Sequence, residues 1–337
     1  MICFGAALLA AFSVVETIDG AQTLPGPRIG HSLVYDLNAR AVVLLDGYSW
    51  IRAVSSVEPP PATEVWQWDG SAWNRRPHAA GPASRTMGRA VFDQARKRIV
   101  SYGGRVGRSE TPSSETWEWD STMWRRASDA SAGPNVHVEM AYDAARNKTI
   151  RFGGALRNGT GFDWPTETWE WHGATWTRIA TDGPPGRAAA NMVYDSRRQE
   201  VVLFGGQGEA PGQEQEQPVF GGTWIWNGRA WRLASREGPP ARAFHAMTFD
   251  ERAGVVLVHG GNFREQVFDD LWAWDGTRWI EIHPSGVSPG ARRLHAMAYD
   301  AARDRTVMYG GAGPRPGGGT DAFSDTWEWS GAEWTRR

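Results

Sequence analysis

The sequence predicts an all-β chain: a β-propeller of six blades, each with four antiparallel strands. Three short marks that recur six times in one register carry this reading. The first is an aromatic-Asp pair, at Tyr35-Asp36, Phe92-Asp93, Tyr142-Asp143, Tyr194-Asp195, Phe249-Asp250 and Tyr299-Asp300. The second follows ten residues after each Asp: Gly-Gly at 103–104, 153–154, 205–206, 260–261 and 310–311, with Asp46-Gly47 in the first copy. The third is Trp-x-Trp with a further Trp five residues on, as in Trp66, Trp68 and Trp73 or Trp327, Trp329 and Trp334. These triplets absorb 18 of the 20 tryptophans, so the unusual tryptophan content is assigned to blade packing.

Each copy reads as strands A to D. Strand A alternates its side chains and ends on the aromatic-Asp pair, as in HAMAYD at 295–300. An Asp-led turn connects it to strand B, TVMYGG at 306–311. Strand C is TWEW at 326–329, with two Trp on one face, and polar turns such as Asp69-Gly70 and Asn227-Gly228 lead into strand D. Four-stranded units at a period near 50 indicate a propeller. The blades fall at 26–78, 79–129, 130–180, 181–235, 236–284 and 285–337. Every blade is contiguous in sequence, so the first and last are expected to meet by face packing without exchanging a strand.

The combined pattern adds Arg-x-x-His (Arg28 to His31, Arg242 to His245, Arg292 to His295) and an acidic residue before Trp-x-Trp. It resembles kelch repeats, including those of the galactose oxidase central domain, over residues 26–337. The resemblance does not extend to copper radical chemistry. That requires a tyrosine crosslinked to a cysteine, and the one cysteine, Cys3, lies outside the repeats. No cofactor and no metal site are expected. Sugar mutarotases of the sialic-acid type are similar six-bladed discs, and that likeness implies an acid/base residue beside an arginine in the axial mouth.

What varies between copies points to a working face. Asp-to-Gly and Trp-to-Trp distances are fixed, whereas the B–C loops run 16, 10, 12, 15, 8 and 13 residues. B–C loops and D–A links emerge at the same end of a blade, so ligand binding is expected there. Arg28, Arg85, Arg187, Arg242 and Arg292 sit eight residues before the Asp, near that end, with Asn135 in copy three. Glu64, Glu115, Glu167, Asp270 and Asp325 stand before Trp-x-Trp, with Gly222 in copy four. Two readings follow: structural Arg–carboxylate pairs, or a cationic mouth for acidic ligands. His31, His245 and His295 recur at one register and read as core residues. Arg89, His137 and Glu139 break the repeat, and two readings are open for them: an acid/base site, or a salt bridge between the second and third blades. Trp50 and Trp164 lie off the repeat, in B–C loops, as candidate contact residues.

A net charge of −2 argues against nucleic-acid binding. The apolar run at 2–15 is too short to span a bilayer and suits the core of a secretory signal, with Ala21 near the cleavage point. Residues 1–25 are therefore expected to be a signal or N-terminal extension, and the chain to be secreted or periplasmic. The leading expectation is a monomeric, non-catalytic module binding a protein or glycan. The alternative is a small-sugar mutarotase or epimerase acting in the axial mouth.

Overall fold

A computed structural model describes residues 24–47, 62–107, 111–128, 132–133, 135–158, 161–209, 218–315 and 317–337. The apolar run at 2–15 and Trp50 lie outside the described residues. Those described contain strands and turns and no helix.

Six antiparallel sheets of four strands account for the repeats. The first is built from Ser32–Asp36, Ala41–Leu45, Val65–Trp68 and Trp73–Arg76, paired in that order. The last is built from Ala296–Asp300, Arg305–Tyr309, Thr326–Trp329 and Trp334–Arg336. Each sheet thus comes from one copy, in the A-B-C-D order that the sequence predicts. Among the described residues, both terminal sheets take all four of their strands from their own copy.

The repeated Asp shapes the A–B turn. It is buried in all six copies, and in each its Oδ1 accepts from backbone N–H groups of the turn, for example Asn38 at 2.8 Å and Ala253 at 2.9 Å. The turn's last residue is left-handed each time: Arg40, Lys97, Asn147, Gln199, Gly254 and Asp304.

Apolar cores form between copies rather than within them. One cluster joins Val42, Leu44, Trp66, Trp68 and Trp73 of copy one to Ala296, Ala298, Val307 and Tyr309 of copy six. Five further clusters join copies one and two, two and three, three and four, four and five, and five and six. The strand D tryptophans add directed bonds. Trp73 Nε1 donates to Thr326 Oγ1 at 2.8 Å, and Trp176, Trp231 and Trp279 donate likewise to Thr116, Thr168 and Thr223 of the preceding copy.

Backbone bonds fasten the copies in the other direction. The second residue of each Gly pair donates its N–H to the carbonyl at the repeated Arg position of the next copy: Gly47 to Arg85, Gly104 to Asn135, Gly154 to Arg187, Gly206 to Arg242, Gly261 to Arg292 and Gly311 to Arg28, at 2.8–2.9 Å. Nearer the axis a second circuit runs through six left-handed residues. Gly30 donates to Leu294, Leu294 to Phe244, Phe244 to Ala189, Ala189 to His137, His137 to Met87 and Met87 to Gly30.

The glycines are needed at these junctions for conformation and for space. At Gly205, φ is +70° and an added Cβ would stand 2.6 Å from the Arg242 carbonyl oxygen. Gly205→Ala is expected to cost about 2 kcal/mol or more, from left-handed strain and backbone crowding. Gly161→Ala, where the nearest atom to a Cβ is 3.9 Å away, is expected to change stability by under about 0.5 kcal/mol. Urea unfolding midpoints of the two variants check the contrast.

Candidate functional site

The five repeated arginines lie inside the fold. Arg85, Arg187, Arg242 and Arg292 are at most 1% exposed, and Arg28 is 7% exposed. Each guanidinium reaches the carbonyl of the first residue of its own Gly pair: Arg85 Nη1 to Gly103 at 3.0 Å, with Arg187 to Gly205, Arg242 to Gly260, Arg292 to Gly310 and Arg28 to Asp46. Four also hold the acidic residue of their copy. Arg242–Asp270 and Arg292–Asp325 are bidentate, Arg85–Glu115 closes at 2.8 Å and Arg28–Glu64 at 3.3 Å. The same carboxylates accept from Trp66, Trp117, Trp272 and Trp327 Nε1. Their hydrogen-bonding capacity is spent within the copy. These guanidinium groups therefore present almost no surface at the mouth where the sequence placed them.

Two copies depart from this scheme, because the missing arginine and the missing acid fall in different copies. In copy four Arg187 stacks on Phe220, 4.1 Å from the ring centroid, with no carboxylate in ion-pair contact among the described residues. Burial lowers its pKa to about 9. In copy three Asn135 takes the arginine's place and donates to the Gly153 carbonyl at 2.9 Å. Glu167 is left with Arg178, an exposed strand D residue 3.9 Å away.

The axial space also differs from expectation. Its wide part, about 280 Å³, is lined by strand A residues including Tyr35, Met140, Tyr194 and Tyr299, and reaches Leu37, Gln94, Glu251 and Ala301 of the A–B turns. Toward the B–C loops it narrows to a neck of about 40 Å³ among Met87, His137, Phe244 and Leu294. The left-handed circuit carries these side chains inward, so the mouth expected at the loop face is constricted.

Arg89 and His137 line this neck, and Glu139 lies behind it, joined through Arg89. Arg89 donates to Glu139 at 2.7 Å, linking copies two and three, and lines both the wide space and the neck. Glu139 is fully buried. Desolvation pushes its carboxyl up to about 7, against the lowering effect of Arg89. The His137 ring packs edge-on to Phe244, and burial followed by the charges of Arg105 and Arg89 lowers its pKa to about 3. His31, His245 and His295 are buried as well, with His31 Nε2 3.1 Å from the Tyr309 carbonyl oxygen.

The B–C loops contain structure that the alternation pattern did not announce. Leu156–Asn158 pairs with Gly161–Asp163, Asn262–Phe263 with Gln266–Val267, and Ala312–Pro314 with Thr320–Ala322. Trp164 follows the first hairpin. It is half-buried, packs against Val136, Ala155 and Ala188, and has the exposed Phe162 ring at 5.8 Å. Beside it lies a cavity of about 440 Å³ lined by Asn135, Arg151, Trp164, Glu167 and Trp169, among others. Arg151 was not singled out from the sequence. It occupies a strand B position that holds Leu44, Ser101, Leu203, Val258 or Met308 in the other copies, and that substitution was the available signal.

Glu139 gives a pH test. Its pKa is raised in the folded state, so the native protein keeps a proton that the unfolded chain has lost across the window from about 4.5 to about 7. This group's contribution to stability therefore declines as pH rises through that window. Glu139→Gln keeps an acceptor for Arg89 and removes the titration. Its melting temperature is expected to depend less on pH between 5 and 7 than that of the parent, as differential scanning fluorimetry would read.

Comparison with known proteins bears on the same repeats. Residues 144–336, more than half of the chain, match the model of the KLHDC2/KLHL20/DRC7 Kelch-repeats domain. The chain is 28% identical over 151 residues to Mei4-dependent protein 6 of Schizosaccharomyces pombe, covering 38% of this chain and 21% of that protein. It is 28% identical over 144 residues to Kelch domain-containing protein 10 of Homo sapiens, covering 41% and 32%. Against the Xenopus laevis counterpart it is 27% identical over 146 residues, covering 41% and 34%. It thus spans between about a fifth and a third of the length of these eukaryotic relatives. With the glycine, arginine and tryptophan contacts repeating from copy to copy beneath that match, the chain belongs to the kelch-repeat family.

Proposed function

We propose that residues 26–337 form a six-bladed propeller that acts as a non-catalytic protein-interaction module and takes its partner on the face of the B–C loops. Six four-stranded sheets and contacts running from copy six back to copy one support the blade count. Membership of the kelch-repeat family supports interaction as the role. The observation that carries the choice of face is the off-repeat aromatic pair Phe162–Trp164. It stands beside an open cavity, on loops that vary in length over a scaffold whose turns do not. Glu139 has no exposed surface, which favours binding over sugar isomerisation. Among the described residues no helix is long and apolar enough to cross a membrane. Export guided by residues 2–15 belongs to the same reading.

A photoreactive amino acid placed at Phe162 tests the face, with Met123, an exposed residue in a C–D turn, as the control position. In extracts of the source cells, irradiation is expected to give a discrete protein adduct from position 162 and none from position 123. Adducts from position 123 alone would overturn the assignment. Trp164→Ala is expected to lower adduct yield at least several-fold, because an aromatic anchor at a contact centre carries a large share of binding.

A further inference from the structure

We propose that the cavity in copy three is a receptor for a guanidinium group, an arginine side chain presented by a partner protein. This inference rests on the interaction face proposed above and names the chemistry of one contact on it. It starts from what the repeat puts at this place elsewhere. In copies one and two the acidic residue before Trp-x-Trp holds two arginines. Glu64 meets Arg28 from inside at 3.3 Å and Arg75 of strand D at 3.3 Å. Glu115 meets Arg85 at 2.8 Å and Arg126 of strand D at 2.8 Å. Copy three keeps the acid, Glu167, and the strand D arginine, Arg178, but has Asn135 where the inner arginine belongs. Asn135 is shorter, so the space of the absent guanidinium opens into the cavity that Asn135, Glu167, Trp164 and Trp169 line.

The chemistry of this vacancy suits a planar cation. Glu167 offers a carboxylate whose inner partner is absent among the described residues. Asn135 is buried, and its Oδ1 has no hydrogen-bond donor. The indoles of Trp164 and Trp169 supply aromatic surface of the kind that guanidinium groups stack on. Elsewhere the inner arginines lie over rings in this way, Arg187 on Phe220, Arg242 on Phe268 and Arg292 on Phe323. Arg151 is the opposing charge. It lines the same cavity with its Nε unpartnered, but Tyr102 and Trp169 stack on its guanidinium, which donates to Tyr102 Oη at 3.1 Å and the Ala132 carbonyl at 3.4 Å. The lining as a whole sets the carboxylates of Glu167 and Asp163 against that one guanidinium.

The test uses the full chain and small probes. The Trp164 indole resonance, assigned with Trp164→Phe, is followed by NMR during titration with N-acetyl-arginine amide, N-acetyl-lysine amide and N-acetyl-glutamate amide. A saturable shift with the arginine probe is expected, at least several-fold tighter than with lysine and absent with glutamate. Glu167→Gln is expected to weaken it about tenfold or more. Asn135→Arg restores the repeat and is expected to abolish the shift while melting no lower than the parent. A shift with the glutamate probe instead would assign the cavity to an anion held by Arg151 and overturn the proposal. No shift with any probe, or an arginine shift unchanged in both variants, would overturn it equally. Adduct formation from position 162 is independent of these titrations, so loss of the arginine pocket and loss of the interaction face are told apart.

Discussion

One backbone carbonyl per repeat holds the assembly together. The residue at the repeated arginine position offers its C=O to the N–H of the preceding copy's Gly pair, while its side chain bonds a carbonyl of its own copy's pair. In five copies glycine at the first position of the pair eases the close approach of the two backbones and the left-handed φ, and in copy one Asp46 holds that conformation instead. Burying these polar groups is tolerable because each finds a partner. A buried guanidinium is tolerable because four of the five also hold a carboxylate. In copies one, two, five and six the Gly-pair position, Arg, the acidic residue and the first Trp of the triplet are therefore one hydrogen-bonded unit, and their joint recurrence in the sequence reflects a single physical requirement.

The tryptophans act in the opposite direction along the chain, each strand D ring reaching back to the preceding copy. Where that copy supplies a threonine the indole N–H is satisfied. Where it supplies Val65 the N–H of Trp124 goes unpaired, and the ring is held by apolar contact alone. The lattice thus tolerates loss of a single polar contact, since each junction also has a core cluster and a backbone bond. Copies three and four carry the two larger departures, Asn135 for arginine and Gly222 for the acid, and they stand next to each other. The off-repeat Trp164 and the open cavity lie in the first of them.

Much of the candidate site was legible as a break in the repeat. Asn135, Arg89, His137, Glu139 and Trp164 all stood out by failing to match their counterparts. Their environments did not. Arg89 and Glu139 each stand four residues before the Asp of their own copy and 50 residues from each other, and only strand A packing around the axis brings them to 2.7 Å. Arg151 escaped notice because strand B positions already vary between Leu, Ser, Val and Met, so one more substitution looked ordinary. Its stacking on Tyr102 and Trp176 depends on the neighbouring copy and on strand D.

The sequence by itself determined the repeat: its period, its four strands, its turns and the identity of the residues that bond the copies. Periodicity, turn chemistry and glycine placement are local properties, and each is repeated often enough to be read without a structure. Tertiary structure alone decided which side chains remain available. The five repeated arginines, which the pattern alone left between structural pairs and a cationic mouth, are consumed by carbonyls and, in four copies, carboxylates of their own copy. The axial mouth expected at the loop face is narrowed by a circuit of left-handed residues, each drawn from a different copy. Availability depends on which polar groups folding brings within reach: the arginines are satisfied inside each folded copy, and the mouth is closed by contacts between copies, neither of which the linear pattern states.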